Sequence, residues 1–373
     1  MGPSFNEQFD QHGVWRREFA QQLKRLADWM ATHDLMDAAV QERLQRLEDQ
    51  VRSDKVMVAF VAEFSRGKSE LINAIFFADY GRRIMPASAG RTTMCPTELG
   101  YDANVAPSLR LLPIETRLQM QSLAEWRVKA DRWHEIPLDV GNADQIAKAL
   151  EKVAEVRKVS LDNARALGFW HDDLTDENPV PDAQGMVEVP MWRHAIINIP
   201  HPLLKQGLVI LDTPGLNAVG AEPELTVNLI PQAHAVVFIL SADTGVTRSD
   251  LSIWREHLAI SPESVEARLV VLNKIDTLWD TLNTAEQVQS QMERQCATSA
   301  EMLGVSLDRV VPVSAQKGLV AKITADDVLL ETSGLPALEE ALAKGIMGRR
   351  QSILRAAVAT GVASLRTETS RVI

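Results

Sequence analysis

The segment AEFSRGKS, residues 62–69, constrains this chain more than any other part of its 373-residue sequence. The apolar, valine-rich run KVMVAFVA at 55–62 predicts a buried strand before it, and a helical pattern follows over 68–78. A loop between a strand and a helix collects backbone N–H groups and a helix N-terminus around phosphate oxygens. Lys68 would reach the β- and γ-phosphates of a nucleotide, and the Ser69 hydroxyl would bind Mg²⁺.

One position departs from the usual phosphate-loop pattern, because its first glycine is replaced by Ala62. We expect the extra methyl group to be tolerated if Ala62 keeps a negative φ, since only positive φ favours glycine. The predicted phosphate contacts then run from Ser65, Arg66 and Gly67 through to Glu70.

A second motif, Asp212-Thr-Pro-Gly215, directly follows the apolar run 208–211. An acidic residue at a strand end can hold Mg²⁺ through water, and the Gly215 N–H can bond a γ-phosphate. The same composition occurs in ordinary turns. Its place after a phosphate loop favours the nucleotide interpretation.

A third motif, Asn273-Lys274-Ile-Asp276, indicates which base is bound. The Asp276 carboxylate can accept two hydrogen bonds from the N1–H and amine of guanine, a donor pair that adenine lacks. Lys274 can lie along the ring, and Asn273 can join neighbouring loops. The tetrapeptide SAQK at 314–317 predicts the remaining wall of the base pocket, formed by Ser314, Ala315 and Gln316, with a backbone N–H near Ala315 facing guanine O6.

The loop AGRTTMCPT, residues 89–97, lies between the first two motifs. A threonine in such a loop completes the Mg²⁺ shell when the γ-phosphate is present, and the loop orders with it. Thr93 is the predicted ligand and Thr92 the alternative. Both can also be ordinary threonines at a strand edge.

Strands and helices alternate along the chain, which predicts an α/β fold: a P-loop GTPase domain with a mostly parallel sheet and helices on both faces. An all-α helical neck would come from both termini. The predicted strands after 55–62 are 195–199, 208–211, 235–240, 269–272 and 310–313, and the predicted helices are 68–78, 223–230, 249–258 and 286–303.

The predicted domains are N-terminal neck helices over 1–52, a GTPase domain over 53–335 and a C-terminal neck helix over 336–373. The neck helices rest on apolar residues three or four apart, such as Leu23, Leu26 and Met30. The last helix stops without a cap, which suggests a chain cut from a longer protein. An insertion over about 101–190 has a helical pattern, and we expect its three tryptophans to fill a small helical core; the pattern residues are Ile146, Leu150, Val153 and Val156, and the tryptophans are Trp126, Trp133 and Trp170.

Composition excludes several classes of protein. The net charge of −11 argues against a broad nucleic-acid surface. Two distant cysteines, Cys95 and Cys296, fit a reducing compartment without disulfides. No run approaches the length that spans a bilayer, and the N-terminus lacks a signal peptide. We therefore expect a cytoplasmic protein, with any membrane role peripheral and at the inner face of the membrane.

Together, AEFSRGKSELINAIF, RTTMCPTEL, DTPGL and NKID resemble the GTPase domain of bacterial dynamin-like proteins over residues 53–335. The flanking helices resemble the neck of that family. The resemblance implies GTP hydrolysis that is activated when two GTPase domains dimerise in the presence of nucleotide. It also implies peripheral association with membranes, which such proteins remodel.

The resemblance also bears on catalysis. The position that holds a water-orienting glutamine in Ras-like GTPases is Leu216, which cannot do this. By resemblance, Ser65 would contact K⁺ or Na⁺ and place the water, assisted by Thr93 and the Gly215 backbone. Lys68, Mg²⁺ and the monovalent cation would stabilise the transition state.

Three further residues have weaker indications. Asp250 resembles a residue that reaches across the dimer, although an acidic residue in the first turn of a helix is favourable without any function. Arg66 and Arg91 are alternative charge donors, and an exposed, solvated side chain is the expectation for each. The other functions left open are a regulatory switch that needs a partner and a GTP-binding module without catalysis.

Overall fold

The computed structural model describes residues 5–33, 36, 40–41, 44–45, 55–86, 95–172, 178–213, 230, 233–258, 268–279, 284–343, 352, 359 and 362–363. The chain divides into two compact units, residues 1–56 with 344–373 and residues 57–343. The second unit therefore ends later than the predicted boundary at 335. Among the described residues no helix is long and apolar enough to cross a membrane.

The first unit contains helix α1, Phe5–Thr32, which lies within the predicted N-terminal helices 1–52. Leu23 and Met30 on one face of this helix are buried together with Leu44. Val362, near the C-terminus of the chain, packs against the same cluster. Residues 46–54 and most of 344–373, in and beside the predicted neck helices, lie outside the described residues.

The second unit is built on a mixed, mostly parallel nine-stranded sheet in the order β11-β10-β9-β1-β8-β2-β7-β3-β4. Its strands are β1 Val56–Ala62, β2 Thr97–Gly100, β3 Ser108–Pro113, β4 His134–Pro137, β7 Trp192–Asn198, β8 Leu208–Asp212, β9 Ala235–Ser241, β10 Arg268–Asn273 and β11 Val310–Pro312. The central strands β1, β8, β9 and β10 are buried along almost their whole length. Strands covered on both faces read as continuous apolar runs, which is why the sequence predicted them correctly.

Helices connect most of these strands. They are α2 Lys68–Ile72, α3 Leu123–Arg127, α4 Ala143–Glu151, α5 Leu161–Ala166, α6 Pro202–Lys205, α7 Arg248–Ile253, α8 Ala285–Leu303, α9 Ala315–Thr324, α10 Asp327–Thr332 and α11 Leu335–Glu340. α2 continues through a π-turn, Asn73–Phe77, and a 3₁₀ turn, Ala78–Tyr80. α7 likewise continues as a π-turn, Trp254–Leu258. The predicted helix 223–230 lies outside the described residues except for Ile230.

The insertion 101–190 was predicted to be helical, but it contains both helices and strands. β3 and β4 extend the main sheet, and β5, Val156–Ser160, pairs antiparallel with β6, Met186–Pro190, in a sheet of their own. Ile146, Leu150 and Val153 are buried as expected, but Val156 is exposed at the start of β5. The helical pattern fails there because α4 ends in a 3₁₀ turn, Lys152–Ala154, after which the chain is extended.

The tryptophans of the insertion pack against strands rather than in a helical core. Trp126 and Trp133 are buried with Leu112 of β3, and the Trp133 indole N–H donates to the Trp126 carbonyl at 2.9 Å. Trp170 is partly buried against a second cluster that includes Val187 of β6. Trp126 and Trp133 are only 2% and 7% exposed, so these two side chains are structural.

Candidate functional site

The sequence motifs meet at one edge of the sheet, because each directly follows a strand. The phosphate loop follows β1, Asp212 ends β8, Asn273 ends β10, and Ser314 comes just after β11. β1, β9, β10 and β11 are mutually parallel neighbours, so their carboxyl ends lie together. Ligands of open α/β sheets bind at this edge.

The phosphate loop has a strained backbone. Ser65 and Gly67 both have positive φ, at +65° and +85°. Ala62 is buried at the end of β1 and is not among the residues with positive φ, so its methyl group is accommodated as expected. A left-handed serine is uncommon, and such outliers persist where surrounding structure holds them, often at functional sites.

Lys68 and Asp212 form an ion pair at the end of β8, where Asp212 is buried. The second carboxylate oxygen, Oδ2, is buried and has no hydrogen-bond partner among the described residues. Burial raises the pKa of Asp212, although the Lys68 charge opposes this shift. A buried acceptor oxygen next to the phosphate-loop lysine suits a water bound to Mg²⁺.

No cluster of three His, Cys, Asp or Glu side chains that could hold a metal ion exists within the ranges that the structure describes. Mg²⁺ binds proteins through one or two side chains and takes its other ligands from water and phosphates. Ser69 lines the adjacent cleft, and Asp212 forms the ion pair with Lys68. These two residues could hold the ion.

The predicted third Mg²⁺ ligand, Thr93 or its alternative Thr92, lies outside the described residues, as do Arg91, Gly215 and Leu216. The strand that follows the threonine loop is nevertheless informative. β2 begins at Thr97, which pairs directly opposite Asp212 in the antiparallel register of β2 and β8. The threonine loop therefore ends beside the carboxylate that would hold Mg²⁺.

Asn273 joins the phosphate loop to the predicted base loops. Its amide nitrogen donates to the Arg66 carbonyl at 2.8 Å, and its Oδ1 accepts from the Ala315 N–H at 3.0 Å. Because the Ala315 N–H is used in this way, it does not face the base, in contrast to the simplest form of our expectation. Gln316, the next residue along the chain, lines the cleft.

The Asp276 carboxylate is held by the Ser314 hydroxyl, which donates to Oδ1 at 2.6 Å. Lys274 has a left-handed backbone, with φ +61°, and its ammonium lies 3.6 Å from the Asp243 carboxylate. These contacts fix the two side chains that the sequence assigns to the base.

A cleft of about 810 Å³ connects the phosphate loop to the base loops. Its lining includes the predicted phosphate residues Ser65 to Glu70 and the predicted base residues Asn273, Lys274, Asp276, Ala315 and Gln316. The volume lies within the range typical of ligand pockets. Residues that are far apart in sequence therefore form one continuous site.

The side chain of Arg66 was expected to be exposed and solvated, but this residue is only 7% exposed. Its guanidinium donates to Asp250 at 2.9 Å and to the Thr244 hydroxyl at 2.5 Å, and it also pairs with Glu63. In the described contacts its guanidinium therefore faces the carboxylates of Asp250 and Glu63 rather than solvent.

Asp250, for which both a cross-dimer role and a structural role in the first turn of a helix were considered, is fully buried in this chain. It forms a capping box with Thr247 at the start of α7, accepting from the Thr247 N–H at 2.9 Å. Burial raises the pKa of Asp250, against the Thr247 hydrogen bonds and the Arg66 charge. These contacts support a structural role for Asp250 in the first turn of α7.

Sequence reasoning missed two parts of the cleft. The first is the segment Arg82–Pro86, in which Arg83 makes a two-pronged ion pair with Glu70. The second is α4 of the insertion, which contributes Ala147 and Glu151. The adjacent arginines after a phosphate-loop helix were a usable signal, but nothing local in the insertion points to a site.

Comparison with known proteins identifies the family. The dynamin family model matches residues 58–275, more than half of the chain. Dynamin-like protein A of Bacillus subtilis is 25% identical over 313 residues, covering 76% of this chain and 24% of that protein. Isoniazid-induced protein IniA of Mycobacterium tuberculosis is 24% identical over 321 residues, covering 85% of this chain and 40% of that protein.

A solved structure of an oligomerised bacterial dynamin pair is similar over 99% of this chain and 57% of that chain, with 16% identity and a TM-score of 0.49. The chain spans less than two thirds of the length of these relatives. The motif-based resemblance to bacterial dynamin-like proteins is confirmed by the family match. The chain belongs to the dynamin family.

Proposed function

We propose that this chain binds GTP in the cleft and hydrolyses it to GDP and phosphate. One observation supports this above all: the phosphate-loop residues and the guanine-type loop line the same cleft. Lys68 and the amides of residues 65–70 bind the phosphates, and Asp276 accepts from the N1–H and amine of guanine. Lys274 lies along the base, Gln316 faces O6, and Ser314 orients Asp276.

Mg²⁺ would be held by Ser69, by Asp212 through water, and by Thr93 or Thr92, and it would draw charge from the β- and γ-phosphates. The chain's own contribution to catalysis is positioning and electrostatics. Lys68 neutralises the developing charge, the Gly215 N–H binds the γ-phosphate, and Ser65 places the attacking water. The strained backbone of Ser65 fixes its side chain at the mouth of the cleft.

Activation by dimerisation is the second part of the proposal. Arg66 is occupied by Asp250 and Glu63, and Leu216 stands where a water-orienting glutamine would be needed. Neither Arg66 nor Leu216 of one copy therefore supplies a catalytic group. A second GTPase domain, together with K⁺ or Na⁺ near Ser65, would complete the site, and membrane remodelling would be the work it drives.

Two substitutions test binding. Lys68→Ala is expected to abolish GTP turnover, because it removes the cation that contacts both terminal phosphates. Asp276→Asn is expected to weaken GTP binding by roughly 10- to 100-fold, which is the range for a lost hydrogen bond to a charged group. It should favour xanthosine triphosphate, whose C2 oxygen can accept from the new amide. Unchanged selectivity after Asp276→Asn would refute the base assignment.

A titration of hydrolysis against protein concentration tests activation. Turnover per molecule is expected to rise with concentration, and to depend on whether potassium is present. A constant turnover per molecule in both salts would refute dimerisation as the activating step. GTP binding without any phosphate release, at high concentration and with potassium, would instead identify a binding module.

A further inference from the structure

The insertion contributes a wall to the cleft, and this wall is one face of a helix. Ala147, Glu151 and Ala154 line the cleft, spaced four and three residues apart. This spacing places them on the same side of α4 and its 3₁₀ extension. The two alanines are small and apolar, so Glu151 is the polar side chain that this face offers to a ligand.

Buried residues of α4 and one ion pair hold the wall in place. Beside this face, α4 is buried through Ile146, Ala149 and Leu150. At its first turn, Asp144 pairs with Arg82, which belongs to the other missed segment of the cleft. Glu151 therefore stands on a rigid element.

The segment that carries Arg82 is itself anchored to α2. Buried Asn73 accepts from the N–H groups of Ile84 and Met85 at 2.9 and 2.8 Å. Arg83 bonds to Glu70 in the first turn of α2, at 2.6 to 3.0 Å. The wall is thus held in register with the phosphate loop.

The wall shares the cleft with the residues assigned to the two ends of a bound nucleotide. Lys68 marks the terminal phosphates, and Asp276 marks the base. The Arg82–Pro86 segment and the insertion face line this same cleft, together with Glu63, Phe64 and Thr277. The part of a nucleotide between its α-phosphate and its base is the ribose.

The chemistry of Glu151 selects the ribose over the phosphates. Its carboxylate is exposed and has no hydrogen bond or ion pair among the described residues. A carboxylate repels phosphate oxygens but accepts hydrogen bonds from hydroxyl groups. The 2′- and 3′-hydroxyls of ribose are such donors. We propose that Glu151 binds the ribose hydroxyls, so that the insertion makes the site specific for ribonucleotides over deoxynucleotides.

This inference rests on the proposed GTP binding, and the test separates the two. Equilibrium dissociation constants would be measured for GTP, 2′-deoxy-GTP and 3′-deoxy-GTP with the full chain and with Glu151→Ala and Glu151→Gln. Glu155→Gln, which makes the same charge change outside the cleft lining, is the control. Binding of GTP to the unmodified chain tests the proposed function by itself.

The unmodified chain is expected to bind GTP roughly 10- to 100-fold more tightly than the deoxy analogue lacking the contacted hydroxyl, as for a charge-assisted hydrogen bond. Glu151→Ala should remove this preference by weakening GTP while leaving the affinity for that analogue unchanged, Glu151→Gln should retain part of the preference, and Glu155→Gln all of it. An unchanged preference in Glu151→Ala would overturn the inference while leaving GTP binding intact. Equal tightening of all three nucleotides would overturn it too, since Glu151 would then act only as a repelling charge. No GTP binding by the unmodified chain would overturn both proposals.

Discussion

Replacing Arg66 by alanine removes the cation that lies between two carboxylates, Asp250 and Glu63. Asp250 is fully buried, and the side chains of Arg66 and Glu63 are 8% and 23% exposed. Removing one partner of a buried pair costs about 3–5 kcal/mol, because the remaining charge is left uncompensated. Asp250 keeps its hydrogen bonds to Thr247, so we expect a loss near the lower limit, about 3 kcal/mol. That is a large share of the stability of a typical domain.

The assay is urea unfolding without nucleotide, followed by tryptophan fluorescence. Six of the eight tryptophans lie in the unit 57–343, so the signal reports mainly on the unit that contains Arg66. The matched control is Arg82→Ala. Arg82 pairs with Asp144, but these side chains are 50% and 85% exposed, and such surface pairs contribute less than about 1 kcal/mol.

The dependence on pH gives an independent check with a fixed sign. Burial raises the folded-state pKa of Asp250, so its ionised form destabilises the folded state as the pH rises through that pKa. Without Arg66 this effect grows. The cost of Arg66→Ala should therefore be larger at pH 7.5 than at acid pH, where Asp250 takes up a proton. A cost no larger than that of Arg82→Ala, or one independent of pH, would refute the reasoning.

Three further outcomes are expected. Gly67→Ala should weaken both stability and GTP binding, because its Cβ would overlap the Asn273 amide at a φ of +85°; normal binding would refute this. Gly334→Ala should lower the free energy of unfolding by roughly 2 kcal/mol more than Gly304→Ala: both have positive φ, but only the Cβ at 334 would meet a backbone carbonyl, and equal losses would contradict the steric argument. Burial lowers the pKa of His234 to about 4, so the free energy of unfolding should fall as the pH drops from about 6.5 to 4. If the urea midpoint of His234→Gln depended on pH as strongly as that of the unmodified chain, the pH dependence would belong to other groups.

The parts of the site that the sequence predicted are those specified locally. The apolar strand before Ala62 and the glycine, lysine and serine that follow it determine a phosphate loop without reference to the rest of the chain. The same holds for Asn273 and Asp276 after their buried strand. Each motif follows a parallel strand, and parallel strands align their carboxyl ends, so convergence could be inferred as well.

The parts that the sequence did not predict depend on distant contacts. Arg66 is buried because Thr244 and Asp250 lie against it, and these residues are 178 and 184 positions away. The insertion was misread because β5 is a half-exposed strand, whose polar residues at 157 and 158 carry no apolar alternation to distinguish it. Glu151 enters the cleft only through the packing of α4, which no local pattern specifies.

The two edges of the main sheet restrict how copies of this chain can associate. The edge strands are short, four residues in β4 and three in β11, and each ends in a proline, Pro137 or Pro312. Proline has no N–H to offer a neighbouring strand, and short edges give little length for pairing. Growth of the sheet from one molecule into the next is therefore disfavoured at both sides. Association of copies is left to loops and helix faces, which can form and release contacts without remaking a backbone ladder.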